Sequence, residues 1–351
     1  MSTDTIPPDL LVLPRLRVQN ANAISSPLTW GFPSITAFTG FMYALERKLT
    51  AEAGLEFMSV GVICHGFEAQ ATSGGFTRSF HLTRNPILAD GSTAGIVEEG
   101  RTHLDISLVF GVTVRNSPDE AQRQQLADHV HELVAGMRLA GGSVMPALPG
   151  SGRRPPKPQL LLADSDFKKR QNDFGRLCRR LLPGFALVSR DDLLQTRQSE
   201  LQATDPAATA LDAWLDLSRQ NHRAERFEDA DPKTGDITER IEWTTDRNKG
   251  WIVPIPVGYG ALSPLYGPGT VSRARDSTTP FRFVESVYSI GQWISPHRLR
   301  STDDLLWYVR PPPDGGDDGL YRCCNEFKPL TPAPAPATAP ADSSPSLSPL
   351  V

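Results

Sequence analysis

The side chains able to do chemistry are few and scattered. The sequence holds no G-x-S-x-G elbow, no glycine-rich phosphate loop closed by Gly-Lys-Ser/Thr, and no H-E-x-x-H pair. His129 and His131 stand two apart in a helical stretch, so they face different ways and cannot share a metal ion. His65 and His81 are the histidines that a metal-independent ribonuclease would use as a general base. His65, beside Cys64 in a strand-like run, also reads as a core histidine with its hydrogen bonds satisfied. Gly91-Ser92-Thr93 and Gly141-Gly142-Ser143 offer backbone N–H groups to phosphate, and read equally as turns. Cys64, Cys178, Cys323 and Cys324 form no C-x-x-C pair, and adjacent Cys323 and Cys324 suit neither a disulfide nor zinc. They read as reduced thiols of a cytoplasmic protein. No catalytic residue, metal or cofactor is expected.

A different chemistry is concentrated between Gln19 and Ser34. Gln19, Asn20, Asn22, Ser25 and Ser26 supply amides and hydroxyls that can bond base edges and phosphates, and Trp30 and Phe32 supply ring faces for stacking single-stranded bases. The same residues also describe a polar loop that caps its own backbone, with Trp30 in the core. Arg15, Arg17, Arg84, Arg101 and Arg138 bracket the segment and favour an anionic partner. A second cationic stretch runs from Lys168 to Arg180, with Phe167, Phe174, Leu177 and Leu181 striping the other side.

These residues need a scaffold, and the first 146 residues outline one. Leu10 to Gln19 alternates as a half-exposed strand. Pro33-Ser34 starts a helix whose Ile35, Phe38, Met42, Leu45 and Leu49 follow helical spacing. Phe57–Gln70 and His103–Val114 read as strands, the second with Leu104, Ile106, Leu108 and Phe110 facing inward. Ser117-Pro118-Asp119-Glu120 reads as a capping box before a helix that buries Leu126, Val130, Leu133, Val134 and Met137. Arg138–Met145 is a short strand broken at Gly141-Gly142. The order strand, helix, strand, strand, helix, strand is an α+β, ferredoxin-like pattern. Residues 66–101 are too long for a turn and carry the strand-like stretch Thr77–Thr83, so they read as an inserted hairpin or thumb.

Beyond 146 the character changes. Residues 147–222 read as a linker and a helical region, with a second helix after Ser189 and a third, set up by Asp205-Pro206, that buries Leu211, Trp214 and Leu215. Residues 223–250 form an acidic loop or hairpin; Arg223 to Asp246 carries eight acidic residues against four basic. Residues 251–328 read as an extended, mixed region packing on the palm, with Trp251–Tyr266 extended, Phe281–Trp293 helical and Leu305–Val309 a closing strand. Residues 1–9 and the Pro/Ala/Ser-rich 329–351 read as disordered. The net charge of −4 excludes a protein that merely coats nucleic acid, while leaving room for a local basic groove. No apolar run is long enough for a membrane span.

The residues themselves carry a resemblance. Leu13-Pro14-Arg15-Leu16 with Gln19 through Pro33, Leu82-Thr83-Arg84-Asn85-Pro86, Asp90-Gly91-Ser92-Thr93-Ala94 and Ile96 through Arg101 resemble the second Csy subunit of type I-F CRISPR complexes, in the Cas-five family of RAMP proteins. Met137 through Ser143, Leu181 through Arg190, Ala261 through Tyr266 and Ser295-Pro296-His297-Arg298 resemble it too. The resemblance runs over residues 10 to 327, omitting the stretch from 147 to 160, the acidic loop and the tail. It implies a palm with a thumb, and a non-catalytic subunit that binds the 5′ handle of the crRNA. It further implies a heterodimer with the large Cas-eight-type subunit, a Cas-seven-type backbone neighbour, and target DNA met through the complex. On that basis the handle site is expected at Arg15, Arg17, Gln19, Asn20, Asn22, Ser25, Ser26, Trp30, Phe32, Arg84, Asn85, Arg101, Arg138, Gly141, Gly142 and Ser143.

Overall fold

The computed structural model describes residues 8–49, 53–75, 77–84, 87–146, 156–230, 237–246, 250–312 and 316–329. The expected disorder of 330–351 and of residues 1–7 lies outside these, as does Asn85. Asp9, placed with the disordered end by the sequence, opens a strand instead, and its carboxylate accepts from Ala163 N–H at 2.7 Å.

Strand β1 (Asp9–Asn22) carries apolar residues toward both faces of a sheet. Its pairing slips between Leu13 and Leu16 and again between Val18 and Ala21. Arg15 and Asn20 sit at these bulges with φ of +56° each, a left-handed backbone that a side chain adopts only where its surroundings hold it there. After the short ladder β2 (Ile24–Ser26) and β3 (Thr29–Trp30), Ser34 caps α1 (Ile35–Lys48), which buries Ile35, Phe38, Met42 and Leu45. Strand β4 (Leu55–Ala69) follows, then two small hairpins, β5 (Ala71–Gly74) with β6 (Thr77–Phe80) and β7 (Leu82–Arg84) with β8 (Ile96–Glu98).

Strand β9 (Arg101–Val114) leads to α2 (Glu120–Ala135). The cap of α2 lies two residues later than the sequence reading placed it: Asp119 and Gln122 form the capping box, because Asn116 and Ser117 take positive φ and turn the chain first. Val130, Val134 and Met137 are buried as expected, while Leu126 and Leu133 are half-buried. A tight turn then joins β10 (Arg138–Leu139) to β11 (Gly142–Met145).

The second half adds β12 (Gln159–Leu161), α3 (Phe167–Arg180), β13 (Phe185–Ser189), α4 (Asp191–Thr204), α5 (Ala210–Ser218), and the hairpin β14 (Asn221–Ala230) with β15 (Ile237–Asp246). It ends with β16 (Ile252–Ala261), β17 (Val284–Ile294), the short α6 (Thr302–Leu305), β18 (Trp307–Val309) and β19 (Leu320–Asn325). Two readings are overturned here. The segment from 281 to 293, expected as a helix, is the strand β17, and β13 was not foreseen. Strand β13 and the second half of β17 are buried from two sides, so their apolar runs show no period that separates strand from helix. Leu211 and Leu215 are exposed; Ala213, Trp214 and Leu217 face in from α5, and Trp214 Nε1–H donates to Ser289 O at 3.0 Å. Phe167 also stands outside, under the Arg170 guanidinium.

Among the described residues, all strands but the separate pairs β2–β3, β5–β6, β7–β8 and β14–β15 join one eleven-stranded sheet with the order β10–β11–β1–β9–β4–β13–β17–β16–β19–β18, and β12 lies beside β1. Every neighbouring pair is antiparallel. One edge of β4 is divided: Ile63 and Cys64 pair with β13, and Val60 pairs with β18, closing the second half into a ring. Trp307, fully buried, ties this ring together by donating Nε1–H to Leu187 O at 2.8 Å.

Helices α1 and α2 cover one face of the first half, over Leu11, Leu13, Leu16, Leu104, Ile106 and Leu108. Helix α3 covers part of the other face, over Leu10, Val12, Ile63 and Val109. Past the Arg15 bulge that second face is uncovered. No helix among the described residues is long and apolar enough to cross a membrane.

Candidate nucleic-acid interface

The uncovered half of the sheet face is built by β1, β9 and β4. A cavity of about 360 Å³ opens there between Arg17, Val18 and Gln19 of β1, His103, Leu104 and Asp105 of β9, and Gly66, Phe67 and Glu68 of β4. Two bulges shape it. At the first, Arg15 N–H donates to Ser107 Oγ at 3.0 Å, and the Arg15 guanidinium bonds Asp105 at 3.0 Å and reaches Pro183 O at 3.5 Å. That cation is spent on the fold. Arg17, two residues on, is half-buried at the cavity, and no described residue forms an ion pair or hydrogen bond with its guanidinium.

At the second bulge Asn20 N–H donates to His103 Nδ1 at 3.2 Å. The Gln70 amide lies against Nε2 at 2.9 Å and donates to Asn20 Oδ1 at 2.8 Å. Arg101 reaches Asn20 O at 3.4 Å, with Nε and Nη2 on the Glu99 carboxylate at 3.2 and 2.9 Å. Thr83 also donates to that carboxylate at 2.7 Å, and Thr83 and Arg101 together hold Glu99 below the usual carboxylate range.

Other expected residues turn inward. Asn22 closes on Ile24 through both atoms of its amide. Ser25 and Ser26 bond Thr29, and Ser26 Oγ accepts from Leu28 and Thr29 N–H. These are a loop capping its own backbone. Phe32 stacks on Phe38 at 5.6 Å and meets Trp293 edge-on at 4.9 Å, so both of its surfaces are occupied in the core. Trp30 does the opposite: it is 47% exposed, held edge-on by Phe80 at 5.7 Å where the insertion joins the sheet.

On the neighbouring edge, Gln19 pairs with Ser143, and Ser143 pairs with Arg138. The Arg138 guanidinium closes its own turn on Gly141 O at 3.1 and 2.7 Å. Gly142 answers to packing: a Cβ there would lie 2.5 Å from Gln19 O and 2.6 Å from Ala21 N. Arg84, exposed at the end of β7, stands on the separate hairpin. The fold thus gathers Arg15, Arg17, Gln19, Asn20, Arg101, Arg138 and Ser143 on one edge. Sequence reasoning passed over His103, Asp105, Glu68 and Gln70. The alternation of β9 held the signal, since Leu104 and Ile106 facing inward turn His103 and Asp105 outward.

The family model for the CRISPR-associated protein (Cas_Csy2) matches residues 11–323. The CRISPR-associated protein Csy2 of Pseudomonas aeruginosa (strain UCBPP-PA14) is 51% identical over 326 residues, spanning 91% of this chain and 95% of that protein. The chain belongs to the Csy2 family of the type I-F CRISPR system. The matched span takes in the whole open face of this Csy2-family chain, from Arg15 to Ser143, and the ring behind it.

His65 and the cysteines of the Csy2-family chain are turned to the fold. His65 Nδ1–H donates to Pro183 O at 2.6 Å, and Nε2 meets Ser107 Oγ at 2.7 Å. Burial, with the nearby Arg15 charge, lowers the His65 pKa against the opposing pull of Pro183 and Asp105. With both ring nitrogens in use, His65 has none left to take a proton from an RNA hydroxyl. All four cysteines are free thiols. Burial pushes Cys64 and Cys323 up to about 11 and Cys178 to about 12, far from thiolate chemistry.

Proposed function

We propose that this chain is a non-catalytic subunit of a cytoplasmic type I-F surveillance complex that grips the 5′ handle of the crRNA on the open half of its sheet. The order β11–β1–β9–β4, with α1 after β1 and α2 after β9, supports a ferredoxin-like palm and a Cas-five, RAMP-type placement. The hairpins β5–β6 and β7–β8 supply the thumb. Exposed Leu82, Ile87, Leu88, Ile96 and Val97 fit a Cas-seven-type backbone neighbour, in an assembly where a large Cas-eight-type subunit pairs with this chain and target DNA is met through the complex.

The observation that carries the reading is the uncovered face itself. Among the described residues it sets one unpaired cation, Arg17, beside amide and imidazole groups of Gln19, Asn20, Gln70 and His103. That combination fits a single strand, whose splayed bases offer edges to hydrogen-bond and whose backbone offers one phosphate per nucleotide. Ultraviolet crosslinking of photoreactive handle RNA in the assembled complex tests it. Crosslinks are expected in the peptides holding Arg17 and His103; crosslinks confined to the other subunits would make this chain a protein-only scaffold. The alternative, a metal-independent crRNA-processing ribonuclease, finds no free base at His65. Purified protein is expected to leave repeat RNA intact, and a discrete cut would reverse that assignment.

A further inference from the structure

Helix α3 and its neighbours form a second charged surface that the handle reading does not use. Residues 164–180 hold six basic against three acidic side chains, in a chain whose net charge is −4. The buried side of α3 is Phe174, Leu177 and Cys178. Opposite it, Lys168, Arg176 and Arg179 follow one another at spacings of eight and three, which keeps them on one outward stripe. At 1.5 Å per residue the stripe runs about 16 Å along the axis. No described residue bonds the side chain of Lys168 or Arg179, and the Arg176 guanidinium meets only the exposed Asp173, at 2.9 Å. An exposed pair of this kind contributes little and exchanges readily for a stronger anion.

Two further segments extend the stripe. Arg180 bonds Gln159 Oε1 at 2.9 Å, which brings exposed Lys157 alongside the end of the helix. The turn Pro296–Arg298 packs against α3 with Leu299 in the same core, and Arg298 is exposed without a partner among the described residues. Three stretches distant in sequence therefore place cations around α3.

The geometry points to the phosphodiester backbone of duplex DNA as the occupant of this surface. A single strand is held by stacking platforms between its phosphate contacts, and the stripe has none; the one exposed ring of α3, Phe167, is covered by Arg170 at 5.8 Å. A duplex keeps its bases inside and presents phosphates at fixed spacing, so a straight row of long cationic side chains is sufficient for it. The inference stands independently of where the handle binds.

The test uses the full chain with Lys168→Ala, Arg176→Ala and Arg179→Ala combined, titrated against a mixed-sequence DNA duplex and a single strand of the same sequence over a range of salt. All three positions are exposed, so an unchanged melting curve confirms the variant is folded. The wild-type chain is expected to bind the duplex with a salt slope that the variant reduces by about 2.7, at 0.9 for each lost phosphate contact. Its affinity for handle RNA should be unchanged, so failure of the palm reading and failure of this one are told apart. No duplex binding by the wild type, an unchanged duplex slope, or an equal loss for single strand and duplex would each overturn the assignment.

Discussion

Replacing Arg17 with alanine isolates the one cation that, among the described residues, the sheet face leaves uncommitted. The side chain is half-buried at the cavity and bonds nothing among the described residues, so its removal leaves no orphaned partner in the fold. A charge-assisted hydrogen bond contributes about 1.5–3 kcal/mol, which is about 10- to 150-fold in affinity for handle RNA. One phosphate contact on a single strand contributes about 0.7 to the salt slope, so a fourfold rise in salt should narrow the gap between wild type and variant by about 2.6-fold. Anisotropy titrations of labelled handle RNA at several salt concentrations measure both quantities. Arg15→Ala is the internal control. That guanidinium is bound to Asp105, whose other carboxylate oxygen is already buried without a partner. Its loss should therefore lower the melting temperature. An unchanged slope for Arg17→Ala, or identical behaviour of the two variants, would refute the division between a binding and a structural arginine.

Other consequences follow from the same geometry. Gly142→Ala would press a Cβ to 2.5 Å from Gln19 O, backbone that cannot swing aside; overpacking of about 1–3 kcal/mol should lower the melting temperature by about 2–12 °C, read by calorimetry. His65 has a lowered pKa in the folded chain, so below the unfolded value of about 6.5 the unfolded state takes up the proton first and stability falls as the pH drops. Urea titrations between about pH 7 and 5 should show that acid loss in the wild type and its reduction in His65→Gln. Because burial raises the Cys64, Cys178 and Cys323 thiols to about 11 or above, iodoacetamide at neutral pH should leave them unmodified in the native chain and label them on denaturation, as read by mass spectrometry.

The first half of the fold was legible because its helices, and its strands beyond the reach of α3, are covered on one face only, and a one-sided element writes its period into the sequence. Leu104, Ile106 and Leu108 in β9, or Phe38, Met42 and Leu45 in α1, need no tertiary information to be read. The second half resisted because β13 and β17 lie between two cores, where Leu187 faces one and Ala186 and Val188 the other. In the candidate site, residue type located the region but not the direction of each side chain. Asn22, Ser25 and Ser26 are the right groups for reading bases, and they close on their own backbone instead. The commitment of Arg15 was invisible for a related reason. It depends on a bulge that brings together Asp105 and Pro183, neither near it in sequence.

The divided edge of β4 makes the two halves of the chain inseparable in inheritance as well as in space. Val60 is paired by Trp307, and Ile63 by Ala186, so the strand under the open face is finished by residues supplied from far downstream. A truncation before β16 would strip the ring and bare that edge. The lineage can therefore lengthen or rewrite the acidic hairpin freely, since it does not join the sheet. It cannot trade away its C-terminal third as a module while keeping the surface offered to the guide.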